Sequence, residues 1–241
     1  MNRLYRKSEI WFAVAWIVVY VVGTSIADNL SVGLEKSVTF VFHLALCAVA
    51  WVWLHRNGLY EKYGLCRPRA KASAFLYYVP LAVIASCNLW RGVTLNASVA
   101  ETALYVGSML CVGFLEELIF RGFLFRAMSR DGLRSAVIVS SVTFGIGHIV
   151  NLFNGSGAEL IPNLCQVGYA IAFGFLFVIL FHRGGSLWPC IIAHSVINAL
   201  SAFANQAGVT DAGRILTSVV LAALAIVYSL ALLKTLPRAA E

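Results

Sequence analysis

The sequence predicts an all-α integral membrane protein with about eight transmembrane helices and both termini in the cytoplasm. Sixty per cent of its 241 residues are hydrophobic and only 12% are charged, a composition far too apolar for a soluble domain. Polar interruptions divide the chain into eight apolar runs, each close to the about 20 residues that a helix needs to cross a bilayer. The basic residues between these runs gather on one side, as the positive-inside rule requires.

The eight apolar runs predict the transmembrane helices and a single domain. No polar stretch is long enough for a second domain, because the longest, residues 55–71, is broken by Leu59, Tyr60 and Leu65. We therefore expect one transmembrane domain over residues 1–241. The predicted helices lie near residues 10–27, 38–54, 74–90, 99–120, 136–153, 163–181, 187–204 and 215–233.

The net charge of +7 would suggest a nucleic-acid partner in a soluble protein, but here topology explains it. Eight crossings place fourteen basic residues on one side and three on the other, so the first side is predicted to be cytoplasmic. We expect no nucleic-acid partner. The cytoplasmic set is Arg3, Arg6, Lys7, Arg56, Lys62, Arg67, Arg69, Lys71, Arg126, Arg130, Arg134, Arg183, Lys234 and Arg238. The opposite set is Lys36, Arg91 and Arg214.

The six cysteines are scattered and show neither CxxC pairs nor the spacing of metal ligands. We interpret most of them as small apolar residues that face neighbouring helices or lipid. The cysteines therefore indicate no metal site, and we expect no cofactor.

Ionisable residues inside the fourth predicted helix indicate a functional site, because each costs several kcal/mol in a bilayer unless it is paired or hydrated. The run FLEELIFRGFLF places Glu116 beside Glu117, with Arg121 one helical turn further on. Glu117 and Arg121 lie on one face and can form an ion pair. Glu116 lies about 100° around the helix and remains free for chemistry.

The fifth and seventh predicted helices carry further polar groups. In the fifth, Phe144 and His148 share one face, and Gly145 and Gly147 would let a neighbouring helix approach closely. In the seventh, His194 and Asn198 have the same spacing. Alternating helix directions place these groups and the two glutamates at similar depth, between the midplane and the cytoplasmic surface. Their joint occurrence on three helices predicts one convergent site.

With these motifs in view, the sequence resembles the CPBP family, also called Abi. This family contains CAAX prenyl endopeptidases and bacterial relatives linked to bacteriocin processing or self-immunity. The resemblance covers roughly residues 99–204. The family's three motifs appear in order as Glu116 and Glu117 with Arg121, Phe144 with His148, and His194 with Asn198.

The resemblance implies an intramembrane glutamate endopeptidase that uses no metal. Glu116 would act as general base on a water that His148 also holds. His194 and Asn198 would donate hydrogen bonds to the developing oxyanion. The residues that would support the site are Glu117, Arg121 and Phe144.

The expected substrate is a membrane-associated peptide or protein. A prenylated CaaX protein would suit a eukaryotic host, but the compact chain, without a long extension or soluble insert, looks closer to the bacterial branch. We therefore expect an enzyme of the bacterial plasma membrane, with its active site towards the cytoplasmic half, that acts in peptide maturation or bacteriocin self-immunity. The sequence does not determine the oligomeric state.

Three other functions remain open at this point. Two histidines and two carboxylates could bind zinc in a metalloprotease, although the sequence lacks HExxH. The polar cluster could instead hold helices together or grip a peptide in a non-catalytic immunity or binding protein. Buried carboxylates and histidines also form proton relays in transporters, although we detect no internal repeat and no broken helix of the kind that transporters use.

Overall fold

The structure is a computed structural model that describes residues 1–153 and 159–237, so Arg238 lies outside the described residues. These ranges contain helices and loops and no β-strand; Val93 and Ala204 form an isolated antiparallel bridge. The α-helices are α1 Asn2–Lys7, α2 Glu9–Leu30, α3 Ser37–Asn57, α4 Val79–Ala85, α5 Val99–Glu116, α6 Arg126–Met128, α7 Leu133–Gly147, α8 Leu160–Gly184, α9 Trp188–Leu200 and α10 Asp211–Thr235.

Seven helical segments among the described residues are long and apolar enough to cross a membrane, which confirms the predicted all-α polytopic fold. They are Glu9–Leu30, Ser37–Asn57, Ala72–Leu89, Val99–Met128, Leu133–Leu152, Leu160–Gly184 and Asp211–Thr235. The predicted helix at residues 187–204 is shorter than expected and covers Trp188–Phe203. Its last turn, Ser201–Phe203, is a 3₁₀ helix. The cytoplasmic location of both termini stays a prediction.

The short helix α9 begins inside the protein. The residues before it are buried, and their polar groups bond to the loop that follows α3: Leu187 N donates to the Gly64 carbonyl at 2.7 Å, and Ser186 Oγ donates to the Cys66 carbonyl at 2.6 Å. Because the helix starts below the protein surface, it needs fewer residues to reach the opposite surface. The sequence showed only an apolar run and could not show this starting depth.

The third predicted helix is broken. Its 3₁₀ segment Ala72–Tyr78 contains left-handed backbone at Leu76, Tyr77 and Tyr78, and α4 restarts with Pro80 in its first turn. Proline is well tolerated there, because the first N–H groups of a helix have no partner within it. Before the break, the Ala74 and Phe75 carbonyls accept from α10, where the hydroxyl donors are Thr235 at 2.6 Å and Tyr228 at 2.8 Å.

The fourth crossing is one long helix that changes its winding in the middle. After α5, residues Glu117–Phe125 form a π-helix, all of whose residues are buried, and α6 continues to Met128. Gly113 lies against α9, and a Cβ at this position would be 2.6 Å from Ser195 N. Gly145 of α7 lies equally close to α8, at 2.8 Å from Ile171 N. The first approach brings two motif-bearing helices together, and the second packs the motif-bearing α7 against α8.

Five buried aromatic side chains, which we call the aromatic plug, fill the core where α2 begins and α3 ends. They are Phe12, Trp16, Trp53, Tyr63 and Phe123. Phe123 of the π-helix contacts each of the other four, with ring centroids 5.0 to 5.9 Å apart. The plug therefore ties the fourth crossing to α2, α3 and the loop after α3.

We expect Gly113→Ala to destabilise the protein by about 1 to 3 kcal/mol, the usual cost of overpacking a close-packed site. The physical reason is that the new methyl would collide with the backbone of α9 at Ser195. Gly168→Ala is the matched control, because a Cβ on that residue of α8 meets nothing within 4 Å. Thermal unfolding in detergent should show a lower midpoint for Gly113→Ala alone; equal midpoints would contradict the packing described.

Candidate active site

The most deeply buried part of the site is an ion-paired carboxylate. Glu117 and Arg121 have no exposed side-chain surface. Glu117 Oε1 accepts from Arg121 Nη1 at 3.0 Å and from His194 Nδ1 at 2.8 Å. Because an ionised carboxylate only accepts hydrogen bonds, the ring proton belongs on Nδ1 of His194. The ion pair predicted from the i, i+4 spacing is present, and it also fixes a histidine of α9.

Phe144 of α7 is the apolar partner of this cluster. The Arg121 guanidinium lies 4.0 Å from the centre of its ring, a cation–π geometry. The rings of His148 and His194 pack edge-on against it, with centroids 5.3 and 5.6 Å away. Phe144 therefore sets the positions of both histidines and covers the charge of Arg121.

Glu116, the last residue of α5, is held differently from its neighbour. Its Oε1 accepts from Tyr20 Oη at 2.7 Å. Its Oε2 has no hydrogen-bond partner and lies 3.6 Å from His194 Nε2. The side chain is 14% exposed, whereas Glu117 is fully buried. Glu116 thus has one oxygen fixed by the protein and one available for another partner.

A cavity of about 600 Å³ lies beside the Glu116 side chain. Of the predicted site residues, those that line it are Glu116, Phe144, His148 and Asn198. His148 bonds through Nδ1 to the Phe144 carbonyl at 3.1 Å, so Nε2 is the nitrogen left for a bound molecule. Within the described residues, no hydrogen bond involves the Asn198 side-chain amide. These residues present one carboxylate, one imidazole and one amide to the cavity.

Three predicted residues lie behind the cavity wall, because Glu117, Arg121 and His194 do not line it. For Glu117 and Arg121 this position is compatible with the predicted supporting role. His194 was expected beside Asn198 as a donor to substrate. Its ring is nearly buried, tied to Glu117 on one side, with Nε2 directed at Glu116 on the other.

The two glycines before His148 differ in their surroundings. Gly145 permits the predicted close approach of a neighbouring helix, α8. Gly147 does not, since a Cβ there would meet nothing within 4 Å and the residue borders the cavity. Directly after Gly147 the backbone tightens into the 3₁₀ segment His148–Leu152, and Asn163 of α8 donates to the His148 carbonyl at 2.8 Å. The Asn163 side chain therefore fixes this 3₁₀ turn to α8.

Sequence reasoning missed the polar residues contributed by α2 and α3. Tyr20 donates to Glu116, and its ring stacks on His43 with centroids 5.7 Å apart. His43 bonds to Thr24 through Nε2 and to Ser108 through Nδ1, each at 2.9 Å. The available signal was His43, an ionisable residue in a predicted membrane helix. Tyr20 gave no signal, because a tyrosine in an apolar run is unremarkable until its partner is known.

The described residues contain no group of three histidines, cysteines or acidic residues arranged to hold a metal ion. The polar groups instead pair with one another, in the contacts of Glu117 with Arg121 and of Glu116 with Tyr20. This arrangement can position a water molecule and a peptide through its own donors and acceptors.

We expect Arg121→Met to destabilise the protein by about 3 to 5 kcal/mol, because it leaves the fully buried Glu117 carboxylate without its cation. Arg130→Met is the control: it removes an ion pair to Glu9 whose arginine is 61% exposed, and such pairs contribute at most about 1 kcal/mol. Unfolding in detergent measures both. A similar small loss for the two variants would show that the buried pair is not needed for stability.

Comparison with known proteins bears on this site directly. The family model described as "Type II CAAX prenyl endopeptidase Rce1-like" matches residues 97–200, a segment that contains every predicted site residue. No curated protein and no solved structure gave a match. The family match supports an intramembrane protease of the hydrolase class. It confirms the resemblance stated from the motifs, because residues 97–200 match a model of the CPBP/CAAX protease family.

Proposed function

We propose that this protein is a metal-independent glutamate endopeptidase that cleaves a membrane-associated peptide or protein. The observation that carries the proposal is the Glu116 side chain, which lines one cavity together with His148 and Asn198 and has one carboxylate oxygen bound by Tyr20 and the other without a hydrogen-bond partner. The whole chain would form one membrane domain, with the catalytic helices between residues 99 and 204. Its setting would be bacterial peptide maturation or bacteriocin self-immunity at the plasma membrane.

The reaction needs a base, a water and a carbonyl within one small volume. Glu116 accepts a proton from a water that His148 Nε2 also holds, and the resulting hydroxide forms a bond to the scissile carbonyl carbon. The tetrahedral intermediate then collapses as the C–N bond breaks, and protonated Glu116 returns the proton to the leaving nitrogen. The same carboxyl group serves first as base and then as acid.

The developing oxyanion needs a donor that is already in place. Asn198 supports this role, because its amide lines the cavity and makes no hydrogen bond to the described residues. Preorganised donors of this kind commonly contribute a factor of about 10² to 10³ in rate. The distances favour another role for His194: Nδ1 is bound to Glu117 and Nε2 lies 3.6 Å from Glu116, so the ring is placed to orient the base when Nε2 also carries a proton.

The other candidate functions fit the geometry less well. A zinc enzyme would need a ligand group that the described residues do not form. A transporter is favoured by broken helices at the transport site. The break at Leu76–Tyr78 does not line the cavity, and the carbonyls just before it accept hydrogen bonds from α10. A non-catalytic immunity or binding protein would use the same cavity without chemistry, so only turnover separates it from the peptidase.

We expect Glu116→Gln to abolish peptide cleavage, since an amide cannot accept the proton of the attacking water. Cleavage of a peptide library by purified protein in detergent, with and without a metal chelator, measures this. Glu101→Gln is the matched control: it makes the same change on the same helix, in an exposed capping box where glutamine also caps. Chelator-resistant cleavage lost only in Glu116→Gln supports the proposal. Retained cleavage by Glu116→Gln would refute the glutamate mechanism.

We expect Tyr20→Phe to lower kcat/KM by roughly tenfold or more, because a hydrogen bond to a charged group contributes about 1.5 to 3 kcal/mol. Tyr20 acts through Glu116, so steady-state kinetics should show this loss at an unchanged midpoint of thermal unfolding. A loss that only follows a fall in thermal stability would give Tyr20 a structural role.

A further inference from the structure

The candidate catalytic cavity opens at one end of the helix bundle only. The three basic residues that the sequence places on the non-cytoplasmic side, Lys36, Arg91 and Arg214, all line it. Asp28, which pairs with Lys36 at 2.7 Å, and the exposed Gln206 lie at the same end. Of the thirteen described residues in the predicted cytoplasmic set, none lines the cavity.

The opposite end of the bundle is closed. Trp16 and Phe12 lie about one and two turns before Tyr20 on α2, and Phe123 lies about two turns after Glu116. Together with the rest of the aromatic plug they separate the active site from that end. Beyond the plug, Glu9 joins α2 to two loops through Lys62 at 2.7 Å and Arg130 at 3.0 Å. None of the five plug residues and none of these three ion-paired residues lines the cavity.

Depth and access are separate properties of this site. Glu116 lies twelve residues before the end of its long helix at Met128 and seventeen after its start at Val99. At 1.5 Å per residue this places it about 18 Å from the arginine-rich end, slightly nearer that end than the other. Depth alone therefore does not decide from which surface the site is reached, whereas the residues that line the cavity bear on it.

We propose that substrate reaches Glu116 from the non-cytoplasmic face of the membrane. The orientation rests on the positive-inside rule applied to the loop arginines and lysines, and the direction of access rests on the cavity lining and the plug. This deepens the proposed peptidase function and depends on it for the identity of the substrate. The substrate is then an exported peptide, or a segment of a membrane protein that emerges on the non-cytoplasmic face, and not the cytoplasmic C-terminus of a lipid-modified protein.

Cysteine labelling tests the direction of access without requiring turnover. Native Cys165 of α8 lines the cavity, so one variant keeps it and replaces the other five cysteines by alanine. Two further variants each carry a single cysteine in a background without the native ones. One is Gln206→Cys at the cavity mouth; the other, the control, is Ser135→Cys, an exposed position at the start of α7 near the arginine-rich loops. Each is expressed in a bacterium and treated in right-side-out and in inverted membrane vesicles with a small, charged, membrane-impermeant thiosulfonate.

We expect Cys165 and Gln206→Cys to react in right-side-out vesicles and to lose that reaction in inverted ones, while Ser135→Cys shows the reverse. Labelling of Cys165 from the same side as Ser135→Cys would overturn the direction of access. If Gln206→Cys reacted only in inverted vesicles and Ser135→Cys only in right-side-out ones, the proposed orientation in the membrane would be wrong. A peptide added outside right-side-out vesicles then tests the chemistry: correct labelling without any cleavage would count against the peptidase and leave the direction of access standing.

Discussion

The site depends on one buried carboxylate. Glu117 has no contact with solvent, and a charge in that position is tolerated only when it is paired and hydrogen-bonded. Arg121 supplies the pairing within the same helix, and His194 supplies a second bond from α9. Phe144 then covers the guanidinium from α7. A single electrostatic requirement thus joins three helices and fixes the partner that faces Glu116.

Irregular backbone occurs where the chemistry is located. The fourth crossing becomes a π-helix at Glu117, one residue after the proposed base, and α7 becomes a 3₁₀ turn at His148. Short π and 3₁₀ segments within longer helices often mark functional positions. In this protein their polar groups are not left in lipid: the π segment is fully buried, and Asn163 holds the turn at His148.

The two ends of the bundle have different physical characters, and this difference defines how the enzyme can work. Close-packed aromatic rings and the ion pairs of Glu9 seal one end, while polar and charged residues surround an open cavity at the other. A hydrolase inside a membrane needs water and peptide at its base but little leakage through the bilayer. A cavity closed at one end satisfies both requirements.

The sequence by itself determined the membrane class and most of the crossings, and it supplied the candidate residues of the site, because hydropathy and intramembrane charge are local properties of the chain. It also predicted the pair of Glu117 with Arg121, which depends only on helical spacing. Tertiary structure alone decided what touches Glu116: Tyr20 lies 96 residues away in the chain, and no periodicity encodes that contact. It likewise placed His194 behind the cavity wall and decided which end is open, since packing between distant helices determines both.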